Sequence, residues 1–433
     1  MKHKLIADED KKIIGKAIKW LHVKRKLRIV DFIEGVCSKQ TYNKMMKGNI
    51  VQKDEAYLSF LDKLGMNYNY EDSIMIHVHH QISLLNHSLN ECDEKATKMH
   101  LDDCLNALTP YRNCMIEYLY YEALSLVYDY LFSPNKQLDK AIDLINIIGL
   151  YSFQLQQILM DYIFRITWNS RTQSRAFFNQ LFSELPYEKS PLFSNRINRI
   201  THLLQNNKVY EGISELTLII DDLKKQHNIN LLLQCYVSKF KMVSYIQPQS
   251  ILEMTQEVFT LIDDNYKLIN QNILMNFYHN LGLYLCLNQF YDKASEMLTK
   301  SIQTQRYYYR SAVVLFYIER KSGILVDREL LNDHGRSEEG PDVLALYQYY
   351  RNIKIMSYEE KLDFLSHIVK KHYVGVGEKN LFYSITHDEL MAAFDEGIMN
   401  YPENKESITM RKYNFQRRLK ALVEHEVDGN ETK

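Results

Sequence analysis

Glycine and proline are scarce in this 433-residue chain, at 14 and 7 residues. So few turn formers argue against a turn-rich sheet fold and for long helices. Long apolar runs are missing too. The tightest cluster, "SAVVLFYI" at Ser311 to Ile318, is far below the about 18 residues that span a bilayer, so no membrane partner is expected. The start, "MKHKLIADEDKK", lacks the apolar region of a signal peptide. Six cysteines (Cys37, Cys92, Cys104, Cys114, Cys235 and Cys286) lie far apart with no CxxC pair, the usage of reduced thiols rather than of a disulfide frame or zinc site. A cytoplasmic location is expected.

Catalytic signatures are equally thin. There is no GxSxG or HExxH, and "VGVGEKN" at Val374 to Asn380 has the glycines of a phosphate loop without the GxxxxGK[ST] spacing or a preceding strand. "HVHH" at His77 to His80 has no acidic or cysteine partner at ligand spacing and reads as a solvated helix start. No enzyme activity, cofactor or metal is expected.

What is present is a globular composition, 46% hydrophobic and 25% charged, with 32 tyrosines. The length allows two or three domains. A net charge of -1 conceals an asymmetry: residues 1–66 hold 15 Lys+Arg against 8 Asp+Glu, and the remainder 38 against 46. A basic head on an acidic body points to an anionic partner at the head.

The head divides into helices. From about Asp10 to Lys26, Ile13, Ile14, Ala17, Ile18 and Leu21 form one apolar stripe. A short second helix covers about Arg28 to Glu34. Gly35 permits a turn, Ser38 can cap the N-terminus of a third helix and Gly48 ends it. That third helix keeps Lys39, Gln40, Thr41, Asn43 and Lys44 polar, as a helix must when it reads base edges in a major groove. A fourth apolar pattern, Ala56 to Leu64, covers the bundle.

From "IGKAIKWLHVKRKL" through "VCSKQTYNKMMKGN" to "FLDKLGMN", the chain resembles a Cro/CI-type (XRE) helix-turn-helix domain. The resemblance implies a DNA-facing set of Ser38, Lys39, Gln40, Thr41, Asn43, Lys44 and Lys47. Gln40 is suited to adenine and Lys39 or Lys44 to guanine or phosphate. The chain departs from that pattern at Ile29, where a phosphate-clamping glutamine is usual, and at Met46 and His22, which replace a buried Glu–Arg pair. Losing both members together strands no charge.

In the body, "NFYHNLGLYLCLNQFYDKASEMLTKSI" (Asn276 to Ile302) has the spacing of a tetratricopeptide repeat, with small Gly282 and Ala294 letting two helices approach. Weaker helix pairs are expected at Tyr118 to Ile148, Asn198 to Leu223 and Cys235 to Ile262. One repeat cannot bury its own face, so an α-solenoid from about residue 75 to 320 is expected. On its concave side, Asn276, His279 and Asn280 are candidates to grip a peptide backbone, and Arg306 and Arg310 of "RYYYR" to hold an acidic group. Past a boundary at Arg320 to Asp342, capping-box spacings at Ser357/Glu360 and Thr386/Glu389 each precede an apolar-periodic run.

The expected fold is all-α: a helix-turn-helix bundle over 1–70, a tetratricopeptide-like solenoid over 71–322, and a helical capping or dimerisation region over 323–433. This combination resembles the peptide-pheromone-responsive transcription regulators of the RRNPP group. Membership implies a homodimer, a double-stranded operator with two half-sites, and a short signalling peptide in the solenoid groove. The alternative is a tetratricopeptide protein-interaction module or, within the same group, a Rap-like anti-activator, whose head contacts protein rather than DNA.

Overall fold

The computed structural model describes residues 5–68, 72–133, 137–170, 175–184, 190–206, 208–302, 308–331, 340–372 and 381–429. The chain is all-α: its described residues contain helices joined by short turns and a single isolated bridge, Asn67 to Cys114. No helix among them is long and apolar enough to cross a membrane. Two compact units divide the chain, Met1–Cys235 and Tyr236–Lys433.

Unit one begins with α1 (Asp8–Lys24), α2 (Ile29–Ile33), α3 (Lys39–Met46) and α4 (Asp54–Lys63). It continues with α5 (Asp72–Glu91), α6 (Glu94–Leu108), α7 (Met115–Phe132), α8 (Leu138–Ile145), α9 (Phe153–Ser170), α10 (Arg175–Glu184), α11 (Phe193–Gln205) and α12 (Val209–Lys225). The division falls within α13 (Ile229–Ile246). Unit two holds α14 (Ser250–Asn265), α15 (Gln271–Leu287), α16 (Tyr291–Ser301), α17 (Tyr308–Ser322), α18 (Pro341–Asn352), α19 (Tyr358–His372), α20 (Leu381–Asn400) and α21 (Lys405–Gly429). Within the units, helices consecutive in sequence pack on one another, as in α5 with α6, α11 with α12, α15 with α16 and α19 with α20.

Local chemistry explains the first four helices. The stripe of α1 is buried at Ile14, Ala17, Ile18 and Leu21, and α1 packs on both α3 and α4. Gly15 makes the α1–α3 approach possible, since a Cβ there would lie 2.4 Å from the Met45 carbonyl oxygen. Gly35 and Gly48 take φ of +73° and +80°, a conformation that costs glycine little. The helix α2 is shorter than its sequence pattern predicts, and its end is held from a distance. Lys63 Nζ donates to the carbonyls of Asp31, Phe32 and Glu34 at 3.2, 3.0 and 2.7 Å, a cation where a helix C-terminus leaves its acceptors unsatisfied.

These four helices are seated on α7. Asn67 N–H donates to Asn113 O at 2.7 Å and Met115 N–H to Asn67 O at 3.0 Å. The Trp20 ring lies 6.4 Å from that of Tyr118, and Lys24 Nζ reaches Glu122 and Asp143 at 3.9 and 3.8 Å. One cluster of buried apolar side chains runs from Ile6 to Leu192.

One of the two capping boxes forms. Ser357 N–H donates to Glu360 Oε2 at 2.8 Å and Glu360 N–H to Ser357 Oγ at 3.3 Å, at the start of α19. Thr386 and Glu389 instead lie inside α20. Thr386 Oγ1 donates back to Phe382 O at 2.7 Å. Glu389 is buried, where it accepts from the Tyr349 and Tyr350 hydroxyls. Three residues separate a cap from its partner and also make about one helical turn, so spacing alone cannot distinguish the two.

Candidate functional site

The helix α3 is two-faced. Ser38 Oγ accepts the Thr41 N–H at 3.2 Å and caps the helix. Tyr42, Met45 and Met46 are buried, at the i, i+3, i+4 positions of one face. On the other face Lys39, Gln40, Asn43, Lys44 and Lys47 are exposed with Ser38, and Thr41 is half-buried. Lys39, Lys44 and Lys47 form no ion pair among the described residues. The sequence-predicted DNA-facing set therefore shares one accessible surface. Lys16 of α1 lies beside its far end, with Cε 3.0 Å from where a Gly48 Cβ would stand.

An aromatic cluster beneath α3 sets its roll. His22 Nδ1 and the Tyr42 hydroxyl are 3.1 Å apart. The His22 ring stacks on Phe32 at 4.7 Å, and Phe32 stacks on Phe60 at 5.0 Å. Burial holds His22 below the usual imidazole range and pushes the Tyr42 phenol up to about 12. Both stay neutral, so the core carries a polar contact without a charge, consistent with the paired departure at His22 and Met46. Tyr42 was not singled out from the sequence, although its spacing to Met45 and Met46 carries the signal. At the other departure, Ile29 is half-buried against the same core.

The candidates for a peptide site separate. Asn276 and Asn280 meet on α15, where Asn280 Nδ2 donates to Asn276 Oδ1 at 2.9 Å and to its carbonyl at 2.8 Å. Both are half-buried. His279 requires a correction: it does not face a groove but is 2% exposed. One residue is about 100° of helix, so His279 turns onto the buried face of Gly282 and Cys286 while Asn280 does not. Its Nδ1 lies 2.9 Å from Ser311 Oγ, which lies 3.0 Å from Ser301 Oγ. Burial, aided by the Arg310 charge, brings the imidazole down to about 3. Arg310 is half-buried with its guanidinium 5.9 Å from the centre of the Phe382 ring. Tyr308 and Tyr309 pack on Tyr347, and Arg306 lies outside the described residues.

Unit one contains a polar cavity that the sequence reading missed, of about 220 Å³. It lies among α7, α9, α11 and α13, where Tyr130, Arg165, Ser194, Asn198 and Gln234 line it. The buried Asp161 carboxylate accepts from Arg165 Nε at 2.8 Å and Asn198 Nδ2 at 2.6 Å. That anchor orients one guanidinium and one amide, and Gln234 adds a second amide. Amides offer both a donor and an acceptor to an extended backbone, and guanidinium offers a fork to a carboxylate. The available signal was an Arg and a Gln, each in the middle of a largely apolar helix, α9 and α13. In the same unit, His79 of "HVHH" is held below the usual imidazole range by burial and meets the Tyr120 ring edge at 5.3 Å.

No family model, no curated protein and no solved structure matches the chain.

Proposed function

We propose that the protein is a sequence-specific DNA-binding transcription regulator controlled by a short peptide. One observation carries the reading: the exposed face of α3, where Lys39, Gln40, Asn43, Lys44 and Lys47 stand together with no ion pair among the described residues, while Tyr42, Met45 and Met46 anchor the opposite face. In this reading α2, the turn at Gly35 and α3 act as a helix-turn-helix, and α3 enters the major groove. Gln40 reads a base edge, and the lysines hold guanine or phosphate. Two copies of the chain supply two such helices to a two-fold operator.

The peptide arm of the proposal is supported by polar groups on first helices of successive pairs. These are Arg165, Asn198 and Gln234 in unit one and, separately, Asn276 and Asn280 in unit two. Such groups grip a main chain whatever its side chains. Peptide then acts by binding two conformations with different affinity, because equal affinity shifts nothing.

The test uses the full chain and fragmented genomic DNA from its source, with the retained fragments sequenced as salt is raised. Enrichment of a few sites with a two-fold repeat, lost in Gln40→Ala/Lys44→Ala, is the expected result. Retention without sequence preference, or none, would sink the DNA reading and make the head a protein-contact module of the anti-activator kind.

A further inference from the structure

A second cavity, of about 470 Å³, lies in unit two between α17, the segment that follows it, and α18. That volume is within the range of small-molecule sites. Its lining is cationic: Arg320, Arg328, Arg351 and Lys354 stand against one lining carboxylate, Glu319.

Two of the cations are fixed in place. Arg320 Nε forms an ion pair with Glu389 Oε2 at 3.1 Å. Glu389 is 3% exposed and also accepts from the Tyr350 and Tyr349 hydroxyls at 3.0 and 3.3 Å. Arg328 Nη2 donates to Glu319 at 2.7 Å while its guanidinium lies 5.4 Å from the centre of the Phe316 ring. Phe316 in turn stacks on Tyr350 at 5.5 Å. The other two cations are exposed and form no ion pair among the described residues. Arg351 has only a 3.5 Å approach to the Leu331 carbonyl, and Lys354 has no carboxylate partner among the described residues.

We propose that this cavity binds a small dianionic oxyanion ligand, a phosphate monoester or a dicarboxylate. Two unpaired cations at one cavity are neutralised by two negative charges. Guanidinium forks suit planar carboxylate and phosphate oxygens, and the ammonium supplies a movable point charge. Arg320 is tied through Nε, which leaves its two terminal nitrogens to the ligand. Leu331 and Phe316 give the carbon body an apolar wall. The proposal is independent of the DNA and peptide reading, since it uses none of those residues.

The experiment is isothermal titration of the full chain with glycerol 3-phosphate, succinate and inorganic phosphate, at ionic strength held constant with potassium chloride. Wild type is compared with Arg351→Gln/Lys354→Gln and with Lys370→Gln/Lys371→Gln, which removes two exposed charges from α19. The expected result is saturable binding of at least one dianion, weakened at least about tenfold by the first pair and unchanged by the second. Tighter binding of the ester or of the diacid then identifies the class, and equal binding of inorganic phosphate identifies free phosphate. No saturable binding of any of the three, undiminished binding by Arg351→Gln/Lys354→Gln, or the same loss in the α19 variant would overturn it.

Discussion

Gly15→Ala isolates the contact that positions the polar helix. On helix propensity alone the change is favourable, by about 1 kcal/mol. The new Cβ, however, would stand 2.4 Å from the Met45 carbonyl oxygen and 3.2 Å from its carbon, where ordinary contact begins near 3.4 Å. Both collision partners are backbone, so no side chain can rotate away and α1 and α3 must separate by about 1 Å. Overpacking of this kind, which shifts backbone, costs about 1–3 kcal/mol. The net expectation is a loss of up to about 2 kcal/mol from the first helices, opposite in sign to propensity. Trp20 and Trp168 are the two tryptophans, so urea unfolding followed by Trp20 fluorescence in a Trp168→Phe background reports the region. Gly149→Ala is the control, because nothing lies within 4 Å of its added Cβ. If Gly15→Ala proves as harmless as Gly149→Ala, the close approach does not set the α1–α3 distance, and the argument for a rigidly seated α3 fails.

Lys63→Ala should remove the cap on α2 and cost about 1 kcal/mol in the same fluorescence assay; an unchanged midpoint would assign the cap no role. In unit two, Gly282→Ala places a Cβ 2.6 Å from Leu298 Cγ. It should therefore be destabilising alone but milder on top of Leu298→Ala, and strictly additive effects would rule out that contact. His279 titrates at about 3 when folded, against 6.5 unperturbed. Its contribution is complete above pH 6.5 and declines below it by up to about 1.4 kcal/mol per unit, as the unfolded chain takes up a proton that the folded one refuses. His279→Gln should flatten that limb of the thermal stability profile toward pH 3, and an identical profile would contradict the burial argument.

The features legible in the sequence are those set within one turn of chain. Ser38 caps α3, Gly35 and Gly48 turn with positive φ, Ser357 pairs with Glu360, and the α1 stripe is buried. Each depends on neighbours three or four residues away, and such geometry follows from local sterics and hydrogen bonding. The all-α class follows from the same periodicity, with few residues to break it.

Tertiary structure decided whatever depends on which face of a helix meets another. The same amphipathic logic that turns Asn280 outward turns His279 inward, and only the partners Ser311 and Ser301 show which face is covered. Glu389, spaced like a cap residue, became a buried acceptor because α18 brings two tyrosines to it. Lys63 reaches the end of α2, His22 meets Tyr42, and Gly15 meets Met45 across separations of 20 to 32 residues. Those pairings have no local signature, because each residue alone satisfies the helix it belongs to. The packing of one helix on another supplies the partner, and with it the charge, burial and reach of the side chain.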